Sequence, residues 1–153
     1  MTSASKRTVT HDTFVIERHY DAAPERVFSA FSKRESKTKW FHGPAEWGPP
    51  ELDMDFRVGG RERNQGGPKG GELHTFVAHY LDIVENQRLI YSYDMYIGSR
   101  KISVSLATVE FLAERGGTRL RVTEHGAFLD DYQDGGSRER GTRKLLEAIA
   151  EAL

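Results

Sequence analysis

Apolar and polar positions alternate in the first recognisable segment. Phe14, Ile16 and Tyr20 fall on one face of residues 13–20, with Arg18 among them, which predicts a half-buried strand. The period then changes. Pro24 suits the first turn of a helix and Glu25 places an anion where the helix dipole favours it. Val27, Ala30 and Phe31 follow at helical spacing, with Phe28 beside them. Residues 33–41 predict a second short helix whose apolar face is interrupted by Glu35, Ser36, Lys37 and Thr38.

Beyond this point the period of two returns. Leu52, Met54 and Phe56 alternate with Glu51, Asp53 and Asp55, and Gly59-Gly60 turns the chain into the polar strand Arg61-Glu62-Arg63-Asn64, which offers almost nothing to bury. The glycine-rich stretch 65–71 reads as a hairpin connection, followed by a long strand over 72–84 and another in which Leu89, Tyr91, Tyr93 and Met95 alternate. Ile102, Val104 and Leu106 share a face, but Val109 and Phe111 are out of phase with them, which predicts a β-bulge near Ala107-Thr108. Gly116-Gly117 makes the next turn, and Leu120 and Val122 point one way from the strand after it. Leu145, Ile149 and Ala152, widened by Leu146, form the apolar stripe of a closing helix over 137–152. The order predicts one antiparallel sheet of six or seven strands curved around its last helix, with a cavity between them.

Composition narrows the class. The chain has 153 residues, room for a single core, with 37% apolar and 10% aromatic residues. Residues 1–11 are polar and aperiodic and are expected to be a mobile N-terminal tail, leaving 12–153 as one domain. A formal net charge of −1 gives no reason to expect nucleic acid as a partner, and no apolar run approaches the length needed for membrane insertion. The absence of cysteine removes disulfides and thiolate chemistry and fits a cytoplasmic protein.

Candidate chemistry centres on Glu124. It shares a strand face with Thr118, Leu120 and Val122, so its carboxylate is expected to face inward and to need a partner or a raised pKa. Arg18, on the apolar face of the first strand, is the expected partner. No residue is assigned as catalytic on this basis, and Glu124 is the one candidate acid or base. The expected ligand-contacting set is Arg18, Trp40, Trp47, Tyr91, Tyr93, Met95, Val104, Leu120, Glu124, Phe128, Leu145 and Ile149, whereas Phe28, Phe31 and Phe41 are read as ordinary core. Trp47 stands apart because it sits in the loop 43–50, rich in glycine and proline. The histidines have no ligand-like spacing: His74 and His79 fall on opposite faces of one strand, so no metal is expected. No phosphate-binding glycine motif or nucleophile elbow occurs, and no cofactor is expected.

Ala23-Pro24-Glu25-Arg26-Val27-Phe28, Trp40-Phe41-His42-Gly43-Pro44, Gly59-Gly60, Gly117-Thr118-Arg119-Leu120 and Arg138-Glu139-Arg140-Gly141 occur in this order. Together they resemble the START-like superfamily called SRPBCC, in the branch of the activator of heat-shock-protein-ninety ATPase homologue domain. The resemblance covers nearly all of residues 13–153. It implies an α+β helix-grip fold: a curved antiparallel sheet around a long C-terminal helix, with two short helices after the first strand. Relatives in such folds mostly bind hydrophobic small molecules, some are cyclases or hydrolases, and others are co-chaperones. The chain departs from the pattern at Ser36-Lys37, where apolar residues are common, and loose packing of the second helix is expected there. The leading expectation is a non-enzymatic binder of a small hydrophobic or aromatic molecule. An enzyme using the same pocket and a co-chaperone-like module with a chaperone or other protein partner are the alternatives.

Overall fold

The computed structural model describes residues 6–153. Seven strands, β1 (Val9–Tyr20), β2 (Glu51–Met54), β3 (Arg61–Gly66), β4 (His74–Val84), β5 (Arg88–Ile97), β6 (Arg100–Glu114) and β7 (Gly117–Leu129), form one antiparallel sheet. The order across it is β1-β7-β6-β5-β4-β3-β2, so every neighbour but one is joined by a hairpin. The exception is β1, which pairs with β7 from Val9↔Leu129 to Tyr20↔Thr118. The helices are α1 (Pro24–Ser32), α2 (Arg34–Thr38) and α3 (Ser137–Ala152), with a single 3₁₀ turn at Ala45–Trp47. This is the curved sheet, closing helix and short-helix insertion that the pattern predicts, an α+β helix-grip fold.

The first strand starts earlier than expected. Residues 9–11, assigned to a tail by their polarity, belong to β1, and Arg7 pairs with Asp130 at 2.7 Å beside its first residue. Cross-strand hydrogen bonds need no apolar side chains, so a polar strand end leaves no periodic trace. Residues 1–5 of the expected tail lie outside the described residues.

The core lies on the concave face. Phe14, Ile16 and Tyr20 of β1, Leu120 and Val122 of β7, and Val109 and Phe111 of β6 are buried against Val27, Phe28, Ala30 and Phe31 of α1 and Leu146 and Ile149 of α3. Phe28 and Phe31 both meet Phe111 edge-on, at ring-centroid distances of 5.1 and 5.5 Å. From α3, Leu146 is buried, whereas Leu145, expected in the core, is only half-buried. One position along a helix is about 100° of rotation, enough to exchange the two leucines between core and rim. Tyr20 fastens the same turn by donating its hydroxyl to the Leu146 carbonyl at 2.6 Å.

The bulge in β6 is not near Ala107-Thr108. Register shifts between Met95 and Tyr96 of the partner strand, where Ile102 is the extra residue, and from Ser103 onward the pairing with β5 is regular. Ser103, Ser105, Ala107, Val109 and Phe111 therefore point inward, while Val104 and Leu106 are exposed on the outer face at 39% and 40%. At the β6–β7 turn, Gly117 is required by crowding. A Cβ there would lie 2.1 Å from the Tyr20 carbonyl oxygen, so any side chain would push β1 from β7.

Candidate functional site

Between the sheet, α2, the loop after it and the N-terminal half of α3 lies an open hollow of about 820 Å³. Its sheet wall is aromatic because alternate residues of β4 and β5 face it. The rings of Phe76 and Tyr93 lie 4.8 Å apart, and those of Tyr91 and Tyr93 5.9 Å apart. Trp40 and Phe41 close the side under α2, with Trp40 held by a 2.8 Å hydrogen bond from its indole nitrogen to the Ala30 carbonyl. Trp47 lies over the mouth, its ring 4.9 Å from that of His74. Gly43 makes this possible, since a Cβ there would sit 2.4 Å from Trp47 Cε3.

Seven of the twelve expected ligand-contacting residues line this hollow: Trp40, Trp47, Tyr91, Tyr93, Met95, Glu124 and Leu145. The other five stand elsewhere. Val104 faces outward as a consequence of the misplaced bulge, and Leu120 and Ile149 are fully buried in the core beside the hollow. Phe128 lies behind Arg138, whose guanidinium sits 5.2 Å from the centre of its ring. Arg18 turns to α3 and donates to Glu147 Oε1 at 2.6 Å.

Glu124 is buried and faces the hollow, but its partners are not Arg18. Tyr93 donates its hydroxyl to Glu124 Oε1, and Arg138 Nη1 lies 3.9 Å from the same oxygen. The Arg138 guanidinium also donates to the Tyr93 hydroxyl at 3.0 Å, to Ser105 Oγ at 3.3 Å and to Ser103 Oγ at 2.7 Å. Arg18 loses this role because Glu124 pairs across β1–β7 with Phe14, and Arg18 stands four register steps further along, opposite Leu120. Burial raises the Glu124 carboxyl above the ordinary glutamate range, opposed by the Tyr93 hydrogen bond and the Arg138 charge. Burial, then the Glu124 charge, raises the Tyr93 hydroxyl in turn.

A second polar group lines the opposite part of the hollow. Lys37 is buried with its Nζ 2.6 Å from Glu62 Oε1, and Tyr80 donates its hydroxyl to that same oxygen. The ammonium lies 4.7 Å from the centre of the Phe41 ring and 5.9 Å from those of Trp40, Phe76 and Tyr91. Two expectations fail here together: β3 does bury something, Glu62, and α2 is packed tightly by the lysine that was expected to loosen it. A paired charge can stay in a core where a lone one cannot.

Sequence reasoning overlooked Lys37, Glu62 and Arg138. A signal existed for two of them. Lys37 precedes Trp40 and Phe41 by three and four residues, the spacing that puts side chains on one helical side. Arg138 is a cation in the first turn of a helix, where the dipole disfavours it and some compensating anion is expected. Asp134 also belongs to this end, accepting the Arg138 backbone N–H at 3.0 Å.

Among the described residues no helix is long and apolar enough to cross a membrane, and no cluster of three or more metal-ligating side chains occurs. No curated protein matches the chain. An uncharacterised protein from Rhizobium leguminosarum has a similar structure at 46% identity and a TM-score of 0.89, over 97% of each chain. The Mll3558 protein from Rhizobium loti is similar at 44% identity and 0.87, over 95% of this chain and 99% of that one. Protein CV1439 from Chromobacterium violaceum, at 24% identity and 0.71 over 93% and 97%, shares the fold. Residues 21–153 match the family described as activator of Hsp90 ATPase homolog 1-like protein, and the chain belongs to that family.

Proposed function

We propose that the protein binds a small hydrophobic or aromatic molecule in the hollow between its sheet and α3. One observation carries this reading: about 820 Å³ is left beside a wall of aromatic rings, where close packing would otherwise be the rule. The pairing of Glu124 with Tyr93 and Arg138 supports an orienting role for that carboxylate rather than proton transfer. Native mass spectrometry of freshly purified protein, and thermal-shift screening of lipids and aromatic metabolites, test the reading. A ligand at 100 times its Kd stabilises the native state by about 2.7 kcal/mol, a melting shift of roughly 5–10 °C for a domain of this size. Met95→Trp, which narrows the hollow beside its aromatic wall, should reduce the shift while preserving the melt. A panel in which no compound moves the wild-type melt, with no copurifying mass, would overturn the proposal.

A further inference from the structure

The hollow carries an unused hydrogen-bonding group at each end. An ammonium has three N–H donors, and among the described residues Glu62 is the only hydrogen-bond acceptor of the Lys37 ammonium. At the other end, Tyr93 and Arg138 both address Glu124 Oε1, and no described donor reaches Oε2. Asp134, on the same side of the hollow, has a buried Oδ2 that is also unpartnered. Lys37 and Glu124 are themselves buried, so a molecule that enters the hollow, displaces its water and completes their hydrogen bonds gains more than it would by meeting the same groups on an exposed surface.

Charge decides what kind of group fits. Lys37 is neutralised by Glu62 at 2.6 Å, so a carboxylate arriving there would bring an uncompensated charge, while a neutral carbonyl oxygen would simply accept a free N–H. Glu124 has Arg138 at 3.9 Å, and its spare oxygen calls for a neutral O–H or N–H donor. Glu62 and Glu124 stand on β3 and β7, four strand steps apart, roughly 19 Å along a flat sheet and less along a curved one. The wall between them is Phe76, Tyr91 and Tyr93.

Resting on the binding reading above, we infer that the Lys37–Glu62 pair is a second polar subsite. The ligand is then a neutral, elongated aromatic with a carbonyl acceptor at the Lys37 end and a hydroxyl or N–H donor at the Glu124 end.

Calorimetric titration with biphenyl, 4-acetylbiphenyl, 4-hydroxybiphenyl and 4-acetyl-4′-hydroxybiphenyl tests this without any mutation. Each substituent is expected to tighten binding by roughly fivefold, and the disubstituted compound should show both gains. Replacing the buried pair with Lys37→Met and Glu62→Gln together should erase the acetyl gain and keep the hydroxyl gain. Glu124→Leu should do the reverse. Comparing ratios within each variant separates a lost subsite from general loosening. Biphenyl binding with no gain from either substituent would overturn this inference and leave the cavity reading standing. Failure of all four compounds to bind would overturn this inference, and the cavity reading falls with it only if the wider thermal-shift panel also moves no melt. Retention of the acetyl gain in the double variant would remove Lys37 from the site.

Discussion

Arg138 donates to the Tyr93 hydroxyl at 3.0 Å, and Tyr93 in turn donates to Glu124. The first turn of α3 is thereby tied to β5 and β7 through one tyrosine oxygen. Removing the far member of this chain, the carboxylate, changes a titration as well as a contact.

Glu124→Gln should therefore change how stability depends on pH. The Glu124 carboxyl is raised in the folded state, chiefly by burial, above its ordinary value of 4.5. The folded protein holds that proton more tightly than the unfolded chain, so the group favours folding least once both states are ionised. Wild-type stability should fall, relative to the variant, as pH rises from about 4.5 through the raised value, and then run parallel above it. Urea midpoints of both proteins between about pH 4 and pH 8 measure this. A constant difference across that range would show that Glu124 titrates normally.

Leu146→Ala and Ile149→Ala should each cost about 2–5 kcal/mol, because both side chains are buried against the sheet. Leu145→Ala should cost less than either, since Leu145 borders the hollow and its loss leaves a surface that water already reaches. Urea denaturation ranks the three, and a larger loss at Leu145 would reverse the assignment of the helix face.

Lys37→Met alone should destabilise by about 3–5 kcal/mol, because it strands the Glu62 charge in the core. Adding Glu62→Gln should recover much of the loss, since the amide still accepts the Tyr80 hydroxyl and carries no charge. Chemical denaturation of the single and double variants distinguishes this from additive damage. Equal or greater loss in the double variant would contradict it.

Gly43→Ala should dislodge Trp47, because the new Cβ would fall 2.4 Å from its ring. Tryptophan emission should shift to the red as the indole leaves His74, with the melt little changed, since Trp47 lies in a half-exposed loop. An unchanged spectrum would place the flexibility in the Gly43 backbone instead.

The sequence disclosed the sheet and the 137–152 helix with little error, because those elements bury apolar residues at regular intervals. Where chemistry replaces periodicity it misled. On β6 the outward Val104 and Leu106 are apolar and the inward Ser103 and Ser105 are polar, so counting hydrophobic parity inverted the strand. Glu62 reads as a surface residue until its partner, 25 positions earlier, is brought across it by the fold. The Glu124 direction was legible from its strand neighbours, but its partner was not, since Arg138 comes from a helix whose seat on the sheet no local pattern specifies.

The place of β1 at one edge of the sheet has a kinetic side. Strands β2 to β7 can assemble in succession, each zipping onto the one before it, with short loops to close. β1 cannot join until β7 exists, and its pairing spans from Val9 to Leu129. Such a distant closure costs chain entropy before any contact repays it, and it slows folding. During synthesis β1 is made before the other six strands and is the last of the seven to find its partner, because β7 must first leave the ribosome.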